Sequence, residues 1–297
     1  MVAILPHAFA ATLYGGLAVH FWRTRWRTSA PRAPGLARWE RAAILVPFAL
    51  HTWLIYHELF AAPELRFGFG QALSVTLWSA VLIYWFESLF VNLEGMQALV
   101  LPFAAVSVLL PGLFPGLASP LYASTLVFRA HLLLAMLAYS LFTIGALHAL
   151  LMALLEGQLH RDPMFGARRE PGGAPAERTA SPTGLLAGPL SSLPPLLTLE
   201  RLLFRILTLG FVLLTLTLVS GAVFSEDVFG KALRVSDKTL FAILSWLIFG
   251  LLLAGRYRYG WRGRRALRWT LAGFVALLLA YVGSRFVLEV VLGRSLA

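Results

Sequence analysis

Four side chains in otherwise apolar stretches of this chain could do chemistry: His131, His51, Arg129 and Arg285. A neutral imidazole can bind a transition metal, and a guanidinium can pair with a carboxylate. The chain contains no Cys, which excludes thiol catalysis, disulfides and Cys-bound metals. No nucleophile stands in a recognisable catalytic motif, so the residues predict a binding site and not an enzyme.

His131 opens one of the apolar stretches and heads a stripe of small residues spaced by three or four positions: Ala135, Ala138, Gly145, Ala149 and Ala153. Small residues mark the sides on which membrane helices approach closely. We therefore expect His131 to point into a helix bundle near its outer end. It is either a ligand of a metal or haem iron, or a histidine hydrogen-bonded to a neighbouring backbone.

His51 lies near the middle of another apolar stretch, and Glu58 follows it on nearly the same helical face. A histidine at that depth must face a partner or a cavity, so it is a second candidate ligand or a satisfied structural histidine. Arg285 and Glu289 are spaced i,i+4 and could neutralise each other. Arg285, like Arg129, could instead pair with an anionic group such as a haem propionate.

The elements that must position these residues are membrane helices. Of 297 residues, 59% are hydrophobic and 13% are charged, whereas soluble chains carry about 25% charged residues. Crossing a bilayer takes about 20 apolar residues, and eight stretches with few or no charges are candidates: 2–22, 42–62, 67–86, 95–110, 130–155, 204–224, 239–255 and 269–292. The predicted fold is all-α, a polytopic membrane helix bundle of about eight transmembrane helices.

The basic residues indicate how the bundle is oriented. Of 25 Lys and Arg, 18 fall in the segments 23–41, 156–205 and 256–268, which the positive-inside rule places in the cytoplasm. Both termini are then on the outer, periplasmic side of a bacterial inner membrane. Orientation and contact with anionic lipid account for the net charge of +11, and no nucleic-acid recognition module is present.

A segment rich in Pro and Gly divides the predicted membrane domain. Seven of the 16 prolines fall within 157–199, a composition that cannot build a packed core. We predict a flexible cytoplasmic linker over 156–203. It joins helices one to five, within 1–155, to helices six to eight, within 204–297.

Three stretches of the chain resemble the membrane proteins of the cytochrome c assembly superfamily (CcsA/CcmC-like), specifically its HemX/YpjD-like branch. They are the helix from His131 through Tyr139 to Ala149, the pair Glu200-Arg201 followed by 210–221, and the residues 237–285. The most specific part is the run Gly-Trp-Arg-Gly-Arg-Arg at 260–265. His51 also stands where that branch has a histidine.

The resemblance implies a haem-handling accessory protein of cytochrome c biogenesis that binds haem b near the outer surface. Its partners would be the bilayer, haem, and biogenesis components or another membrane protein. Well-known members hold haem between two outer histidines beneath a Trp-rich loop. Here His131 matches the first histidine, but no Trp occurs in 225–236 and no His follows 283.

Two other functions are compatible with the sequence. The chain could be a scaffold or regulatory subunit of another membrane complex that has lost haem handling. It could also be a small-solute or ion transporter that uses His51, Glu58 and Arg285 as a relay, although the usual inverted repeat is absent.

The distribution of Arg and Lys predicts the topology directly. Reporters inserted in 23–41, 157–199 and 256–268 should be cytoplasmic, and reporters at both termini should be periplasmic. Paired phosphatase and fluorescent-protein fusions measure this. A cytoplasmic reporter after Ala297 would contradict the eight-span arrangement.

Overall fold

The computed structural model describes residues 4–27, 35–61, 66–90, 95–116, 126–159, 196–229 and 237–291. Its elements within those ranges are helices: α1 (Leu5–Phe21), α2 (Arg38–Tyr56), α3 (Phe69–Glu87), α4 (Gln97–Leu113), α5 (Leu126–Leu159), α6 (Leu196–Phe229), α7 (Asp237–Tyr259) and α8 (Gly263–Leu278). Wider π-helical turns continue α1 over Trp22–Trp26, α2 over His57–Ala61 and α8 over Leu279–Gly283. The predicted all-α bundle is confirmed.

Most of these helices suit a bilayer. Six are long and apolar enough to cross a membrane: Arg38–Leu59, Phe69–Glu87, Ala130–Glu156, Leu197–Val223, Lys238–Tyr259 and Gly263–Phe286. The helix α4 is apolar but shorter. The surface of the bundle carries exposed large apolar side chains, among them Leu5, Phe9, Val106, Leu209, Val219 and Leu251. Such a surface is expected to face lipid acyl chains.

Charged residues end the apolar stretches but do not end the helices. The helix α6 begins at Leu196, eight residues before the predicted span, and carries the buried Glu200 in its second turn. The carboxylate of Glu200 pairs with Arg256 at 2.5 Å and with Arg262 at 3.5 Å, which allows the helix to continue past the apolar segment. The predicted linker therefore overlaps α5 and α6 at its ends, and its residues 160–195 lie outside the described ranges.

Most consecutive helices of the described ranges pack against each other, with the exception of α4 and α5. The strongest of these contacts is between α5 and α6, and α3 pairs with α4 and α7 with α8. The helix α1 packs on α4 and α2, whereas α5 packs on α3 and α8 as well as on α6. Because α5 contacts both groups of helices, it joins the first half of the bundle to the second. We call the end at which α3, α5 and α7 finish the basic end.

Four helices meet at one pair of stacked rings. Phe142 on α5 and Phe249 on α7 have ring centroids 3.9 Å apart and planes inclined by 16°. On α6, a methyl group at Gly210 would lie 3.1 Å from the Phe142 ring, and on α8 one at Gly273 would lie 2.9 Å from the Phe249 ring. The hydroxyl of Ser245 also donates to the Gly273 carbonyl at 2.9 Å. The two glycines therefore let α6 and α8 approach the aromatic pair closely.

The turn between α7 and α8 is closed by Trp261. Its ring covers Gly255, where a side chain would collide with it. The Trp261 amide donates to the Gly255 carbonyl at 3.2 Å, and Arg256 donates to the Trp261 carbonyl at 3.2 Å. Gly260 has φ +64°, which side-chain-bearing residues rarely adopt. These contacts explain why Gly, Trp and Arg occur together in this turn.

The contact at Gly273 predicts a strong size dependence. Gly273→Leu should lower the free energy of unfolding by about 1–3 kcal/mol, because the new side chain must displace the Phe249 ring. Thermal unfolding in detergent or nanodiscs measures the loss. Gly16→Leu is the matched control, since nothing lies within 4 Å of that position on the exposed face of α1. Equal stability of the two variants would contradict the packing around the stacked rings.

Candidate functional site

His131 lies in the second turn of α5, against the far end of α6. Its ring is partly buried and packs on Gly221, where a methyl group would lie 3.2 Å from the ring atom Cε1. Its Nδ1 lies 2.9 Å from the Ser220 hydroxyl. The small residues of the stripe do mark the packed side of α5, because Gly145, further along the stripe, faces Leu207 of α6. His131 points into the helix pair, as the sequence predicts.

The Ser220 hydroxyl holds one nitrogen of the His131 ring. That hydroxyl also lies 3.1 Å from the Thr217 carbonyl, to which it can donate its hydrogen. When it does so, its oxygen accepts a hydrogen bond from a protonated Nδ1 of His131, and the lone pair of the imidazole is on Nε2. Nε2 makes no hydrogen bond with the described residues. This arrangement of a ligand-ready nitrogen and an oriented second nitrogen is typical of histidines that bind metals.

Two cations flank one aromatic ring at the same outer end. Lys238 Nζ, at the start of α7, lies 5.5 Å from the centre of the Tyr281 ring. The Arg285 guanidinium lies 5.8 Å from the centre of the same ring. Both distances allow cation–π attraction to the Tyr281 ring. The site thus has a positive region that an anion could neutralise.

Packing connects this cationic pair to the helix that bears His131. Tyr281 packs against a small apolar cluster that contains Phe67, Ala72, Ala135 and Met136. Ala135 lies one turn from His131 on α5. The side chains of Arg129 and Glu289 lie outside the described part of the chain, so the pairing of Arg285 with Glu289 stays a prediction.

His51 lies in a different place. It is fully buried between α1, α2 and α3, and its Nε2 lies 2.8 Å from the Ser74 hydroxyl. The edge of its ring contacts Tyr14, with centroids 5.8 Å apart. The His51 Nδ1 atom and the Tyr14 hydroxyl are both buried without a hydrogen-bond partner among the described residues. Such a pair of polar atoms can accommodate an internal water molecule.

The structure does not bring the two candidate ligands together. His51 makes its contacts with α1 and α3, whereas His131 makes its contacts with α6. The helices α2 and α5 are not among the closely packed pairs of the described residues. Each histidine stays a candidate on its own, and the arrangement does not favour one haem held by both.

Glu58 forms a pair that the sequence did not predict. Its carboxylate lies 2.7 Å from Nε2 of His7, which is buried at the start of α1. Glu58 lies in the π-helical turn His57–Ala61 and, like His51, faces α1, where His51 contacts Tyr14 and Glu58 contacts His7. Gly112 at the end of α4 leaves room for the His7 ring. The sequence also gave no reason to select Ser220 or Lys238 as functional residues.

A bare metal ion has little support in this part of the chain. Among the described residues, no group of three or more His, Asp and Glu side chains could hold one. A porphyrin differs, because it supplies four equatorial nitrogens and needs only one or two axial ligands from the protein. The isolated Nε2 of His131 is therefore compatible with haem iron and not with a protein-only metal centre.

Comparison with known proteins agrees with the resemblance. A family model described as "Cytochrome C assembly protein" matches residues 39–292. The inner membrane protein YpjD of Escherichia coli is 34% identical over 161 residues, which are 54% of this chain and 52% of YpjD. The cytochrome c biogenesis protein CcsA of Trichormus variabilis is 35% identical over 109 residues, which are 37% of this chain and 30% of that protein.

The matched region is only part of each relative. The chain spans about half the length of YpjD and less than a third of the CcsA protein. No solved structure matches the chain. The family is therefore established by sequence, and the details of the site depend on the geometry given above.

The different burial of four histidines predicts their reactivity. Diethyl pyrocarbonate, which acylates accessible unprotonated imidazoles, should modify His131 and the exposed His57. It should leave His51 and His148 unmodified, because both are enclosed by protein. Peptide mass spectrometry of labelled protein in nanodiscs measures the four rates. Labelling of His51 as fast as of His57 would contradict the placement of His51 in the interior.

Proposed function

Because the chain belongs to the cytochrome c assembly protein family, we propose that it is an inner-membrane haem-handling accessory protein of cytochrome c biogenesis. It binds haem b near the outer end of the bundle through His131 and the neighbouring cations. The role is binding and presentation of haem, and not catalysis of a bond-breaking reaction. The partners are the bilayer, haem and other components of cytochrome c biogenesis.

One observation carries the proposal: Nδ1 of His131 lies 2.9 Å from the Ser220 hydroxyl, while Nε2 makes no hydrogen bond with the described residues. The Ser220 hydroxyl orients the ring, as outer partners of ligand histidines commonly do. The donor that haem requires is thus present and oriented.

The charge of the site also suits haem. Haem carries two propionate groups that are ionised at neutral pH and need cations or water. Arg285 and Lys238 meet over Tyr281 at the same end of the bundle as His131. A guanidinium can bind a carboxylate through two parallel hydrogen bonds, whereas the ammonium acts as a point charge. We assign the propionate contact to Arg285 first and to Lys238 second.

Bound haem would supply an iron centre that accepts axial ligands and changes redox state. The protein residues orient an imidazole, neutralise carboxylates and surround the porphyrin with apolar side chains. Of the histidines at the outer end, His7 is paired with Glu58 and His57 is exposed, so His131 would be the histidine that holds haem. This differs from the two-histidine arrangement of well-known members of the superfamily and fits an accessory role. His51 remains a separate candidate ligand at greater depth.

The main prediction concerns the absorption spectrum. Wild-type protein loaded with haemin should show a Soret band. His131→Ala should lose or strongly shift that band, and added imidazole should partly restore it by filling the vacant coordination position. Arg285→Gln should leave the band position unchanged but weaken haem affinity about tenfold or more, since a charge-assisted hydrogen bond contributes about 1.5–3 kcal/mol.

Two controls separate ligation from folding. His57→Ala removes an exposed imidazole at the outer end of α2 and should not change the spectrum. Ser220→Ala keeps the His131 ring but removes its orienting partner, so it should weaken haem binding and preserve some Soret signal. If wild type and His131→Ala bind haem with equal affinity and identical spectra, His131 is not a ligand. If wild-type protein stays colourless with haemin, the scaffold function is favoured.

A further inference from the structure

A buried carboxyl and a buried imidazole face each other at the basic end of the bundle, far along α5 from His131. Oε2 of Glu87, the last residue of α3, lies 4.0 Å from Nε2 of His148 on α5. The His148 side chain is 0% exposed and the Glu87 side chain is 15% exposed. Neither of these two atoms has a hydrogen-bond partner among the described residues.

The hydrogen-bonding pattern shows that both atoms are acceptors. His148 Nδ1 lies 3.0 Å from the Ile144 carbonyl, which can only accept, so Nδ1 carries the hydrogen. In neutral His148 the lone pair is on Nε2 and points toward Glu87. An ionised Glu87 presents a second lone pair from Oε2. Two facing acceptors without a donor repel each other, and a carboxylate buried without a partner is costly.

We propose that Glu87 and His148 form a proton-binding site that takes up one exchangeable proton from water at the basic end of the bundle. Without this proton the pair has a net charge of −1, and with it the net charge is zero. The proton resides on the carboxyl, or on Nε2 as an ion pair with the carboxylate. Uptake makes one O–H or N–H bond and breaks one bond to hydrogen in water or hydronium. This site is independent of the haem proposal.

The spacing indicates how the proton is held. A direct hydrogen bond between oxygen and nitrogen requires about 2.7–3.2 Å, so the 4.0 Å gap is too long for one. One water molecule that contacts both atoms would span this separation and could pass the proton between them. A metal ion fits poorly, because two ligands are too few and no group of three potential ligands occurs in the described residues.

The charged side chains of the neighbouring helices do not neutralise the pair formed by Glu87 and His148. The helix α4 contributes no titratable side chain to this end of the bundle. Charged side chains at this end of the other packed helices are Arg38, Glu40 and Arg41 on α2, Glu156 on α5, Glu200, Arg201 and Arg205 on α6, and Arg264, Arg265 and Arg268 on α8. Glu40 pairs with Arg25, Glu200 with Arg256, and Glu156 with Arg264. None of the described Lys or Arg side chains forms an ion pair with Glu87.

Glu87 is more exposed than His148, and this difference indicates the side from which a proton enters the site. Glu87 ends its helix and keeps part of its side chain exposed, although Oε2 itself is buried. His148 has no exposed surface. Water therefore reaches the carboxyl before the imidazole. Glu87 is the entry group, and His148 is the inner acceptor.

Infrared and NMR spectroscopy test the proposal on the full chain in nanodiscs at neutral pH. A protonated Glu87 gives a carboxylic acid C=O band that shifts in D₂O and is lost in Glu87→Gln. Alternatively, ¹⁵N-histidine NMR shows His148 as an imidazolium, and this signal is lost in His148→Gln. Glu156→Gln is the matched control, because that carboxyl is paired with Arg264 at the surface and should contribute no such band.

Each result decides the question. Either the Glu87 acid band or the His148 imidazolium signal supports the site and shows where the proton resides. An ionised Glu87 together with a neutral His148 at neutral pH would overturn it. An acid band at Glu87 that does not shift in D₂O would also overturn it, because the proton would not exchange with water. Glu87→Gln preserves shape, so the infrared result does not depend on a variant that fails to fold.

Discussion

A polar group inside a bilayer has no water to bond, and the interior of this bundle is arranged around that constraint. Each buried histidine uses a nearby hydroxyl, carboxylate or carbonyl: Ser220 for His131, Ser74 for His51, Glu58 for His7 and Ile144 for His148. Threonine and serine side chains likewise bond to the carbonyl one turn earlier, as Thr143 and Ser140 do. Among the described residues, His51 Nδ1, Glu87 Oε2 and His148 Nε2 are buried atoms that this pairing leaves without a hydrogen-bond partner.

At the basic end of the bundle, charged residues form ion pairs that connect neighbouring helices. Glu40 receives Arg25 at 2.7 Å and His20 at 3.3 Å, which fastens the end of α1 to the start of α2. Glu200 on α6 pairs with Arg256 at the end of α7, and Glu156 on α5 pairs with Arg264 at the start of α8. Exposed ion pairs contribute little individually, but Glu40, Arg25 and Glu200 are largely buried. Among the described residues, ion pairs thus connect helices at the basic end, and His7 with Glu58 connects α1 to the end of α2 at the outer end.

Much of the fold could be predicted because apolar length is a direct physical requirement for crossing a membrane. The predicted span begins several residues after the true start of α6, because Glu200 interrupts the apolar sequence there. The ion pair with Arg256 shows how the helix accommodates this carboxylate. The small-residue stripe correctly oriented His131. Its partner Ser220 is 89 positions away, and no local pattern connects the two. The same holds for Lys238 and Arg285, which lie beside the Tyr281 ring only because the start of α7 and the helical residues that follow α8 come together there.

The contact between α5 and α6 determines where the sequence of this chain can change during evolution. Both helices have 34 residues and contact each other from His131 against Ser220 to Gly145 against Leu207. This contact lies entirely within the two helices and does not involve residues 160–195. The entropic cost of closing a connecting loop grows only slowly with its length. Insertions and deletions between the two helices should therefore accumulate among relatives, while positions along the shared helix faces stay restricted to small or closely fitting side chains.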